Sequence, residues 1–201
     1  MRILLTIWQV LRQQVKFFAL VFLGYLLQVC LMPHFKVGGI TPSLLFALVG
    51  IVTVGYGRLR ALWIGAIYGM LLEIMLPSLP ALYLVLYPLS AVFCSVFFAD
   101  KSEKKLEYER SLNKAGRNVN PYLRTLLCAS VNVLIYEVVN VMYIYLGGTA
   151  LTGDHIGRAL TNILATTALT GLIMVPVRRF LGFKKLKKDT PPARKFQYNR
   201  L

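Results

Sequence analysis

Apolar residues in this chain run in six long blocks separated by short polar or proline-bearing joints. No water-facing stripe survives through the middle of most blocks, as the helix of a soluble domain would require. The pattern predicts an all-α membrane protein with six transmembrane helices, over about 17–31, 41–56, 61–76, 81–99, 121–146 and 156–180. Pro33 closes the first span. Pro42 is placed in the first turn of the second, where a missing N–H does no harm. Arg58 and Arg60 precede the third span, Pro77 follows it, and Pro88 is expected to kink the fourth. The second and third spans, roughly 24 Å each at the helical rise, read as a membrane hairpin joined by a tight turn at Gly57-Arg58-Leu59-Arg60.

Three polar segments flank these spans. Residues 1–16 form a basic amphipathic arm, with Arg12 and Lys16 one turn apart and Trp8 among Leu and Ile residues. No small-x-small cleavage site follows the first apolar run, so the arm is expected to be retained. Residues 100–120 form a charged loop between the fourth and fifth spans. The 182–201 segment, with Lys184-Lys185, Lys187-Lys188 and Pro191-Pro192, is a basic flexible tail outside the 17–181 bundle.

Charge sets the expected orientation. The net charge is +15, yet all but Lys36 and Arg158 of the 23 Lys and Arg residues fall in segments on one side of the predicted membrane. By the positive-inside rule that side is cytoplasmic, and both termini lie there. Such flanking cations suit anionic lipids, and no nucleic-acid partner is implied. The hydrophobic fraction is 57% and the charged fraction 15%, far from the roughly 25% charged usual in soluble domains.

The chain carries no HExxH, GxSxG or Walker pattern, so it is read as a non-enzyme without metal or cofactor. Cys30, Cys94 and Cys128 are scattered in apolar runs without the spacing of a zinc site. Asp154-His155 reads as a polar loop end.

What remains is polar chemistry inside the spans. Glu73 and Glu137 are the only acidic residues deep in apolar blocks, positions where a carboxyl is costly and normally faces the bundle interior. Ala61, Gly65, Gly69 and Glu73 recur every four residues, a stripe of small residues that suits close helix packing or a partner face. The fifth span carries Asn132, Tyr136, Glu137, Asn140 and Tyr143, with Tyr136, Glu137 and Asn140 on one polar face. The sixth carries Asn162, Thr166 and Thr170 in one stripe. Such stripes either hydrogen-bond one another or line a cavity for a polar ligand or for protons.

Leu26-Leu27-Gln28, followed by Pro33-His34-Phe35, Val37, Gly39-Ile40 and Pro42-Ser43-Leu44-Leu45, resembles the opening of the MreD family, rod shape-determining membrane proteins of bacteria. Gly65-x-x-x-Gly69-Met70-Leu71-Leu72-Glu73 is similar to that family's Gly-rich third span, and Ala81-Leu82-Tyr83 follows where the family often shows Gly-Leu-Tyr-Ala. Ser43 stands in place of the usual Asp or Asn, and Glu73 in place of Asp. The resemblance covers roughly residues 20–95. It implies a non-catalytic scaffold of the cell-elongation machinery, acting with an MreC-like protein, MreB filaments, a SEDS glycosyltransferase and a penicillin-binding protein. It also implies a bundle similar to the six-helix substrate-binding components of ECF vitamin transporters. That kinship supplies an alternative, a small-molecule uptake subunit with Glu137, Asn140 and Asn162 on the ligand. Those subunits often carry Ala-x-x-x-Ala in the first span, whereas Ala19 here is followed by Leu23. A proton-coupled carrier using Glu73 and Glu137 is a third reading, and no second inverted repeat accompanies it.

Overall fold

The computed structural model describes residues 2–75, 82–99, 120–148, 150 and 152–183. Those residues form six α-helices, and no strand occurs among them. The helices are α1 (Arg2–Cys30), α2 (Leu44–Tyr56), α3 (Arg58–Met75), α4 (Leu82–Phe98), α5 (Pro121–Leu146) and α6 (Gly153–Phe180). The charged loop, apart from Asn120, and the tail from residue 184 onward lie outside the described residues.

Among the described residues three helices are long and apolar enough to cross a membrane: the Leu11–His34 stretch containing most of α1, then α5 and α6. Of the six spans expected from sequence, length and composition support three among the described residues. The 13 residues of α2 rise only about 20 Å, short of the roughly 30 Å hydrocarbon layer. Helix α4 is apolar but has 17 residues, and the 18 residues of α3 include Arg58, Arg60 and Glu73.

Helix α2 is the hub. Every residue from Leu44 to Val54 is buried, as its all-round apolar sequence dictates, and the other helices pack around it. Helix α5 comes close because Gly50 faces Ala129, where a Cβ would stand 3.1 Å from the Ala129 backbone. The outer faces of the long helices are apolar too: Phe22, Leu164 and Leu172 are 65%, 70% and 77% exposed.

Several element boundaries differ from the sequence expectation, each for a local reason. The 1–16 arm, from Arg2, is helical and runs without a break into the first span as α1, since nothing in it breaks a helix. Pro42 lies outside α2, because Ser43 is extended and serves as the N-cap. Its approach is a 3-10 turn at Met32–His34 and then a tight turn in which Val37 and Ile40 exchange backbone hydrogen bonds. Gly38 and Gly39 occupy that turn at φ 58° and 80°, a region glycine enters without strain. Arg58 and Arg60 belong to the first turn of α3, so the α2–α3 reversal is made by Gly57 alone at φ 80°. Helix α6 begins at Gly153, which puts Asp154 and His155 in its first turn rather than in a loop. Gly182 and Phe183, assigned to the tail by sequence, close the fold: the Phe183 ring packs against Tyr56 and over Gly55.

The helices alternate in direction, so one end of the bundle collects Arg12, Lys16, Arg58, Arg60, Arg124, Arg178 and Arg179. Aromatic rings at this end support the cations. Arg60 stacks 3.9 Å over Tyr56, Arg178 lies 5.2 Å over Phe183, and Lys16 lies 5.8 Å over Phe180. Lys36 and Arg158 sit at the opposite end.

Candidate functional site

The polar residues of α5 and α6 converge with the entry to α2. Helix α2 begins inside the bundle, so its first N–H groups need acceptors that water cannot supply. Ser43 offers no side-chain cap. Two other helices supply the oxygens instead: Gln28 Oε1 on α1 accepts from Leu44 N at 2.7 Å, and Thr166 Oγ1 on α6 accepts from Ser43 N at 3.1 Å. Thr166 Oγ1 in turn donates to Asn162 Oδ1 at 3.2 Å, and Asn162 Nδ2 donates to Glu137 Oε1 on α5. A continuous hydrogen-bonded line thus runs from the α2 backbone through α6 to the carboxylate of Glu137.

Above this line a cleft of about 260 Å³ opens between α5 and α6. Glu137 and Asn162 lie on its floor. Asn140, Val141 and Ile144 climb α5, while Ala159, Arg158 and His155 climb α6, with Ile40 closing one side. Because the two helices are antiparallel, the ends of the two rows define a mouth at the C-terminus of α5 and the N-terminus of α6. Arg158 is exposed there and His155 half-buried.

The face expected for Tyr136, Glu137 and Asn140 is split by the structure. Glu137 and Asn140 face α6, but Tyr136 turns to α4, where its hydroxyl meets that of Tyr83 at 3.4 Å. The Tyr136 ring also packs on Phe46 of α2, which stacks on Tyr87 at 4.3 Å. Asn132 is fully buried and donates back to Cys128 O at 2.8 Å, leaving its Oδ1 without a hydrogen-bond partner. Thr170 is likewise buried and donates to Thr166 O at 2.7 Å, a back-bond within α6. Tyr143 is exposed. The cleft therefore uses Glu137, Asn140 and Asn162, with Thr166 behind them, while Asn132, Tyr136 and Thr170 serve other contacts.

The third-span stripe is consumed within the chain. A Cβ on Gly65 would stand 2.8 Å from the Pro88 Cα and the Tyr87 carbonyl oxygen, and one on Gly69 would stand 2.5 Å from the Tyr83 carbonyl oxygen. Ala61 continues the buried face. Glu73, half-buried at the far end of the stripe, accepts the Tyr83 N–H at 3.2 Å and so caps the first turn of α4. The stripe is an α3–α4 seam, not a face left open for another protein.

His155, Arg158 and Gln28 are the contributors that residue-by-residue reading missed. With α6 started at Gly153, His155, Arg158 and Asn162 share one helical stripe, and the Thr152-Gly153-Asp154 start was the available signal. Among the described residues no group of three or more His, Cys, Asp or Glu side chains is arranged to hold a metal. No protein-family model matches the chain, nor does any curated protein or solved structure.

Proposed function

We propose that this chain is a non-catalytic scaffold in a bacterial cell membrane, part of the elongation machinery that organises peptidoglycan synthesis and maintains rod shape. In this reading all six helices lie in the bilayer, arranged like an ECF substrate-binding component, with the short α2 held at the centre. The basic end faces the cytoplasm and anionic lipid, and both termini lie on that side. Its partners are an MreC-like protein, MreB filaments, a SEDS glycosyltransferase and a penicillin-binding protein.

The observation that carries the reading is where the residues of the MreD resemblance fall. Gln28 caps α2, Pro42 and Ser43 shape its entry, Gly65 and Gly69 seat α4, and Glu73 caps α4. Each of these six builds a helix junction, and of the resembling residues only Ile40 reaches the α5–α6 cleft, at its side. A motif devoted to junctions suits a protein whose product is a shape presented to partners. Depleting the protein in a rod-shaped host tests this. The cells should widen and round, and unchanged cell shape would contradict the proposal.

The cleft favours a second reading, the membrane subunit of a small-molecule uptake system. Glu137, Asn140 and Asn162 share its lining as that reading requires. Its volume, about 260 Å³, lies below the roughly 300–1,000 Å³ of sites for drug-sized ligands, which argues against a vitamin-sized cargo.

A further inference from the structure

We propose that the α5–α6 cleft binds a small zwitterion, an amino-acid-like molecule carrying one ammonium and one carboxylate a few bonds apart. Opposite charges stand at the two ends of this cleft. On the floor, the buried Glu137 carboxylate gives one oxygen to Asn162 Nδ2 and lines the cavity. At the mouth stand the Arg158 guanidinium and the His155 imidazole, on the first turns of α6, whose N-terminal dipole favours an anion, while Asp154 of the same turn is exposed and outside the lining. Arg158 and Asn162 are four residues apart, so their backbone positions differ by about 6 Å along the helix. Among the described residues no ion pair joins Glu137 to Arg158, and a ligand can bridge charges that do not close on each other.

Chemistry and size narrow the occupant. A carboxylate floor selects an ammonium, and a guanidinium presents paired donors that match a carboxylate. Asn140 supplies an amide between them, and Val141 and Ile144 give an apolar wall for a short side chain. A molecule with only one charge leaves the other end of the cleft without a partner. The site stands on the cleft alone: its ligand is the cargo in the uptake reading and a regulator in the scaffold reading.

The test uses the full-length protein in lipid nanodiscs, with its thermal unfolding followed against the L-amino acids and glycine betaine at millimolar concentration. The best zwitterion is then compared with its amide, which lacks the carboxylate, and its N-acetyl form, which lacks the ammonium. At least one zwitterion should raise the unfolding temperature, as any ligand of the folded state does, and neither derivative should match it. Glu137→Gln keeps an acceptor for Asn162, and Arg158→Gln changes an exposed side chain, so both variants should fold. Each should weaken binding by about tenfold or more. The proposal is overturned if no zwitterion shifts the transition, if the derivatives work as well, or if binding survives both substitutions. Should a variant fail to fold, the comparison of derivatives on the unaltered chain still decides. A negative result leaves the scaffold reading to its own shape test.

Discussion

The carboxylate of Glu73, at the end of α3, accepts the backbone N–H of Tyr83 in the first turn of α4 at 3.2 Å. This contact accounts for an acidic residue in an apolar block without any chemistry. It offers negative charge and an acceptor where a helix start has orphan donors. The capping account separates acceptor from charge. Glu73→Gln should keep most of the stability, whereas Glu73→Leu should lose about 1 kcal/mol, as cap removal typically does. Thermal unfolding in detergent reads the difference, and equal loss in both variants would point to the charge instead.

The cap on α2 predicts a larger effect. Gln28→Leu removes the acceptor of a buried N–H and should cost about 1–3 kcal/mol. Thr166→Val strips the second acceptor and also frees Asn162 Oδ1, so it should be comparable. Because both side chains serve one helix start, the double variant should depart from additivity. Simple additivity would mean that the two contacts do not cooperate in holding α2.

At the α3–α4 seam the prediction is steric. Gly69→Ala places a methyl on the Tyr83 carbonyl and Gly65→Ala places one on the Pro88 backbone, neither of which is a yielding side-chain end. Each should cost about 1–3 kcal/mol by overpacking. Gly171→Ala is the control, since its Cβ would meet only Leu126 at an ordinary 3.7 Å. Equal melting temperatures for Gly69→Ala and Gly171→Ala would contradict the seam.

Orientation is checked by cysteine labelling in intact cells. Cys94 and Cys128 are fully buried, so only the exposed Cys30 needs removal, as Cys30→Ser. Lys36→Cys should then react with an impermeant maleimide from outside, and Arg58→Cys only after the membrane is opened. The reverse pattern would invert the proposed topology.

Glu137 separates the two roles proposed for this chain. Glu137→Gln should leave rod shape intact, because an amide oxygen still accepts from Asn162, while zwitterion binding weakens by about tenfold or more. Glu137→Leu leaves the Asn162 amide without that acceptor and should lower stability by about 1–3 kcal/mol.

Local signals made much of the helical layout legible. Asn120-Pro121 opens α5, with the Asn120 side chain accepting from Tyr122 N, and Gly147 stops it. The run from Leu44 to Val54, apolar but for Gly50 and Thr53, marked a span, and the structure buries it on every side. Other features depend on where chain segments meet. The three spans allowed by length and composition, against six from hydropathy, follow from short helices whose burial is decided by neighbours. Pro42 invited an early helix start, but the extended Ser43 delays it. In the site, Asn162 and Glu137 were both marked as polar, yet their pairing is a fact of helix rotation. The same rotation sends Tyr136 to Tyr83 and away from Asn140.

The central claim, that this chain organises wall synthesis, is tested most directly by its neighbours in the native membrane. Cross-linking a tagged chain in living cells and identifying what co-purifies should return a SEDS glycosyltransferase, a penicillin-binding protein and an MreC-like protein. Recovery of an ATPase-driven transporter core in their place would contradict the account and leave the uptake subunit standing.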